Sequence, residues 1–218
     1  PAHGNPVDMD GDGDLDVVMA LGFYYRPGSN DPAASLRPQD NQVVWYENNG
    51  TPAAGPWKKH IIGPRFDDAF EAIAGDLDGD GDIDVAATSW RNPGRVVWFE
   101  NHGDPRSQWT RHMLKNNWRS ANQVIIADLN GDGIPEIAFQ SGFAMVPANS
   151  EGLNWVATSQ GDPAMGWKVE QVDGFPTSHH VAWADLDGDG ELELINALLI
   201  GAGSVAPAYD QDNSSVFW

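Results

Sequence analysis

Cysteine is absent from this sequence, which excludes disulfides and thiolate metal sites. That is compatible with an oxidising compartment without requiring one. Basic residues are scarce: 12 Lys and Arg stand against 32 Asp and Glu, for a net charge of −20. So acidic a chain does not hold a phosphate backbone by bulk electrostatics, and no nucleic-acid partner is expected. No apolar run approaches transmembrane length, so no membrane insertion is expected, and no signal peptide is visible. Also missing are a GxxxxGK[ST] phosphate loop, an HExxH pair, a GxSxG elbow and a readable triad. Helical periodicity is weak throughout. What remains is a 41% hydrophobic fraction with ten tryptophans in 218 residues, enough for a substantial core.

The acids are not spread evenly. Eighteen of the 32 fall in four short loops, DMDGDGDLD (Asp8 to Asp16), DLDGDGDID (Asp76 to Asp84), DLNGDGIPE (Asp128 to Glu136) and DLDGDGELE (Asp185 to Glu193). The loop starts lie 68, 52 and 57 residues apart, and an apolar strand-like run follows each. A second strand carries a tryptophan, and Trp45, Trp98, Trp155 and Trp218 align as equivalents that pack between repeats. A third strand opens at Trp57, Trp109 and Trp167, and a fourth apolar run precedes each later loop. Four short strands per unit of roughly 50 residues predict an all-β fold, a β-propeller of four-stranded antiparallel blades. The units run approximately over 1–67, 68–119, 120–176 and 177–218, within one domain. The first unit is expected to lack the strand that should precede its loop, apart from a few residues, and the last ends on its second strand. About four blades are therefore expected, as part of a larger, seven-bladed ring whose other strands lie in further sequence or in a partner. An insertion from Tyr24 to Gln42, rich in Pro, Asn and Ser, reads as a surface loop.

Calcium takes six to eight hard oxygen ligands, and these loops offer them at positions 1, 3, 5 and 9. The side chains are Asp8, Asp10, Asp12 and Asp16; Asp76, Asp78, Asp80 and Asp84; Asp128, Asn130, Asp132 and Glu136; and Asp185, Asp187, Asp189 and Glu193. Position 7 is Asp14, Asp82, Ile134 or Glu191, so its backbone carbonyl is the expected ligand there. Glycines at positions 4 and 6 permit the positive φ that wraps the chain round an ion. An EF-hand would need a bidentate Glu at position 12 and flanking helices. Position 12 is instead Met19, Ala87, Phe139 or Asn196, and strands follow. Up to four calcium ions are expected, with the third loop weakest because Asn130 lowers its charge.

The pattern D-x-D-G-D-G-x-x-D/E followed by a strand resembles the FG-GAP and VCBS repeats of integrin-type calcium-binding propellers. The segments VVWYENNG, WKKHII and HHVAWADLDGDGELELINALLIG are similar to the propeller of the aldos-2-ulose dehydratase family and related carbohydrate-active proteins. That resemblance implies a carbohydrate dehydratase or isomerase, or a polysaccharide lyase, with a metal-assisted site. It also implies a secreted, periplasmic or cell-surface location.

Five residues before each loop stand His3, Glu71, Gln123 and His180, all polar, at the end of the blade opposite the acid loop. The next loops on that face bring Tyr24, Tyr25, Arg26, Trp90, Arg91 and Phe143. A polar channel mouth rimmed by aromatics and arginines suits a sugar, above all an acidic one. His3, Glu71 and His180 could hold zinc with an open position, with His179 as ligand or base, and Tyr24 and Arg91 as further catalytic candidates. Such a metal would polarise a carbonyl and acidify the adjacent C–H for elimination. The alternatives are a ring satisfied by water and backbone, and a non-catalytic adhesion or lectin-like module that contacts a protein or sugar. His60 and His112 read as packing residues of the outer strand.

Overall fold

The computed structural model describes residues 3–22, 41–90, 94–118, 121–141, 154–173, 178–198 and 216–217. Among the described residues, runs between acidic or glycine-rich turns build fifteen strands, all but the last four to seven residues long. Blade 1 holds β1 (Gly4–Val7), β2 (Asp16–Leu21), β3 (Gln42–Glu47) and β4 (Lys58–Pro64). Blade 2 holds β5 (Ala69–Gly75), β6 (Asp84–Ser89), β7 (Arg95–Glu100) and β8 (Thr110–Asn116). Blade 3 holds β9 (Ala121–Ala127), β10 (Glu136–Ser141), β11 (Asn154–Ser159) and β12 (Trp167–Asp173). Blade 4 shows β13 (Ser178–Ala184), β14 (Glu193–Leu198) and β15 (Val216–Phe217). Each blade is an antiparallel meander in chain order, as propeller blades are. The first strand is short but present: Gly4–Val7 pairs with β2 from Gly4 opposite Met19 to Val7 opposite Asp16, so blade 1 has four strands after all. Gln42 belongs to β3 rather than to the insertion before it.

The hydrophobic cores lie between blades, and period-2 alternation explains why. In β6 and β7, Val85, Ala87, Val97 and Phe99 join Val18, Val43, Trp45 and Ile62 of blade 1. Their neighbours Ala86, Val96 and Trp98 point the other way and join Val124, Ile137 and Phe139 of blade 3. A strand buried on both faces reads as an unbroken apolar run, and all six residues of β6 are buried. Blades approach so closely that a Cβ added at Gly63 would sit 2.3 Å from the Phe99 ring.

Side chains from one inner strand also bond the next inner strand. Ala74 N donates to Asn5 Oδ1 at 3.0 Å, and Val124 N donates to Glu71 Oε2 at 2.8 Å. Gln123 takes both groups of Val181, accepting from its N–H at 2.6 Å and donating to its carbonyl at 3.0 Å.

The tryptophan alignment needs one correction. Val18 faces Trp45 and Ala86 faces Trp98, both at loop position 11, but the equivalent Ala138 faces Val156. Trp155 stands one residue earlier and so turns to the opposite face of its strand, edge-on to Trp118 at 6.5 Å. Trp45 and Trp98 stack on His60 and His112 with ring centroids 4.3 and 4.4 Å apart. Each imidazole meets a glutamate, Glu47 or Glu100, at 2.6 Å.

Candidate metal centres

Each acid loop is the hairpin connection between the inner strand of a blade and the strand after it. The local fold follows one scheme in all four. The position-1 aspartate accepts from the position-6 glycine N–H at 3.0 to 3.1 Å, as Gly13 gives to Asp8 and Gly81 to Asp76. The same bond recurs from Gly133 to Asp128 and from Gly190 to Asp185. The position-5 side chain accepts from the position-7 N–H, as Asp14 gives to Asp12. Positive φ makes the wrap possible: Gly13 has φ 93°, a region that a side chain would strain.

Position 9 closes the ring from below. Asp16 accepts from Met9 N at 3.1 Å and from Asn48 N at 2.7 Å, and Asp84 accepts from Leu77 N and Asn101 N in the same way. Asn48 and Asn101 also donate their side-chain amides to the position-8 carbonyls, Leu15 and Ile83. These two asparagines support the loops from the neighbouring strand. Their signal in the sequence was the repeated Glu-Asn after the aromatic pair.

Three loops gather ligand atoms within 4.8 Å of one another: Asp8, Asp10 and Asp16; Asp76, Asp78 and Asp84; and Asp185, Asp187 and Glu193. Position 5 lies outside these sets, with its carboxylate turned to the position-7 N–H. In the third loop Asn130 spends its amide on Glu136 Oε1 at 2.9 Å.

The electrostatics point to a cation. Asp84 is fully buried, and burial pushes its carboxyl up to about 8, with Asp78 and Asp80 adding like charge. Asp78 rises to about 6, first through burial and then through the charges of Asp80 and Glu100. Burial raises Asp16 and Glu136 too. Asp8 Oδ1 is buried and has no hydrogen-bond donor. An acceptor oxygen in that state is costly unless a cation faces it. The donors are all hard oxygens, so the residues fit a divalent ion such as calcium.

The channel-mouth candidates are arranged differently. Among the described residues, His3, Glu71 and His180 do not form a converging ligand set; the three acid-loop sets are the ones found. Glu71 reaches the blade 3 backbone, and burial pushes its carboxyl up to about 7 against the opposing bond from Val124. His3 is exposed and lies 5.5 Å from the Phe70 ring, tilted by 32°. His180 is exposed on β13 opposite Ala197, and His179 precedes it on the same strand. Tyr24, Tyr25, Arg26, Arg91 and Phe143 lie outside the described residues, as does Trp218.

No curated protein matches the chain. The FG-GAP-like repeat profile matches residues 8–87 and again residues 76–139, spanning two pairs of consecutive acid loops and more than half of the chain. Acid hairpins at blade spacing, with inter-blade cores between them, are what that match predicts. The chain belongs to the FG-GAP-like repeat family.

Proposed function

We propose that the chain is a calcium-stabilised propeller module of an extracytoplasmic, carbohydrate-active protein, and that it binds a sugar at the channel mouth. The observation that carries the reading is the pair of exposed imidazoles, His3 and His180, at the end of the inner strands opposite the acid loops. Exposed imidazoles at that end can exchange hydrogen bonds with the hydroxyls of a pyranose. The similarity of several segments to carbohydrate-active propellers supports the same ligand class. Calcium, up to one ion per loop, fixes the far end of each hairpin and so holds the mouth in shape. A panel of neutral and acidic oligosaccharides titrated calorimetrically should give saturable heat in calcium, reduced in His3→Ala. Heat from no saccharide, with saturable binding to an extracellular-matrix protein instead, would move the module to the adhesion class.

Elimination chemistry is the second reading, and Glu71 favours it. A carboxyl held near 7 is suited to exchange a proton at neutral pH. Incubation with uronate-containing glycans would then yield an unsaturated product visible in the ultraviolet. Glu71→Gln should abolish that absorbance while leaving binding intact.

A further inference from the structure

Loop 1 differs from loop 2 in one charged contact. Arg106 leaves the β7–β8 connection of blade 2 and crosses to blade 1, where one guanidinium nitrogen donates to Asp10 Oδ2 and to Glu47 Oε1, the latter at 2.7 Å. The guanidinium lies 5.7 Å over the Trp45 ring. Trp45 in turn donates its indole N–H to the carbonyl of Pro105, the residue before Arg106, at 3.2 Å. The connection is therefore held at three points. Beneath it the Asp10 side chain is only 3% exposed. Asp10 is also one of the three converging ligands of loop 1.

The equivalent position in loop 2 has the opposite surroundings. Asp78 has Asp80 and Glu100 as its charged neighbours, and Glu100 is the counterpart of Glu47. In blade 3, the segment GDPAMGW stands where blade 2 has GDPRSQW, so Ala164 replaces the arginine.

We infer that Arg106 is an affinity-determining residue for the cation site of loop 1: it pre-neutralises Asp10 from the neighbouring blade and makes this loop bind its cation more weakly than loop 2. The inference rests on the calcium reading above. A fixed positive charge on one ligand opposes a dication at the same ring, because two like charges a few ångströms apart repel by kcal/mol amounts even at partly exposed sites. The same charge holds blade 2 to blade 1 when the ion is absent, through a charge-assisted bond to a buried acid. Loop 1 thus keeps its shape without calcium, whereas loop 2 depends on it. The coupling is reciprocal: calcium at loop 1 loosens the Arg106 contact as much as that contact weakens calcium.

The test uses the full chain, with calcium ion itself as the probe in calorimetric titrations. Wild type should show a weaker class of site that includes loop 1. Arg106→Ala should tighten loop 1 about tenfold, Arg106→Lys should keep it weak, and Arg106→Ala should have a smaller effect on a chain already carrying Asp10→Asn. In chelator, Arg106→Ala should lower the melting temperature, and excess calcium should restore it. Calcium binding that is unchanged or weakened in Arg106→Ala, while the other sites still bind, overturns the assignment and leaves the calcium reading standing. If no loop binds calcium at all, both fail together.

Discussion

Burial and a single backbone donor set the behaviour of Glu71. Its carboxyl, ordinarily near 4.5, is raised to about 7 chiefly by desolvation. The folded state therefore holds an extra proton between those values, and stability falls as pH rises through that window. Glu71→Gln removes the titration and keeps an amide oxygen for Val124 N, the arrangement that Gln123 already makes with Val181. Denaturant unfolding in calcium should show the variant gaining roughly 2 kcal/mol on wild type between pH 5 and pH 8. A difference that stays constant with pH would mean Glu71 is not the group responsible. At Trp98 the dominant effect is packing. The side chain is fully buried between blades 2 and 3, stacked on His112 and edge-on to Trp167 at 6.0 Å. Trp98→Ala should cost about 3–5 kcal/mol. Trp155→Ala, at a partly exposed position, should cost less in the same unfolding experiment.

The acid hairpin is the element on which stability turns. Each loop crowds carboxylates whose backbone bonds are already made, so an ion adds binding energy that the unfolded chain does not share. At calcium a thousandfold above the dissociation constant, each occupied loop should contribute about 4 kcal/mol. Excess chelator should therefore lower the melting temperature sharply in differential scanning calorimetry, and an unshifted transition would contradict the role given to the loops. Backbone geometry makes a second demand. Gly13→Ala forces a side chain into φ 93° and should cost about 1–2 kcal/mol, even though nothing lies within 4 Å of the new Cβ. Gly55→Ala, in open space without that dihedral, should be close to neutral in the same assay.

At the scale of the whole molecule, stability is shared between blades rather than held within them. The strands buried on both faces, β6 above all, should exchange their amides most slowly. The outer strands β4 and β8, with mostly exposed or half-buried residues, should exchange fastest in a mass-spectrometric time course. Equal protection of inner and outer strands would contradict inter-blade cores. The loop repeat, its glycines and the alternating apolar runs determined the fold class, the four-stranded units and the gathering of acids at the hairpins from sequence alone, because each depends on local spacing and side-chain chemistry. The register of Trp155 was not legible, since a one-residue slip changes the face a side chain takes without changing the composition of the strand. Nor was the reach of Arg106 to Asp10, or of Glu71 to Val124. Those contacts join residues 96 and 53 positions apart, and only the packing of one blade against the next brings them within hydrogen-bonding distance.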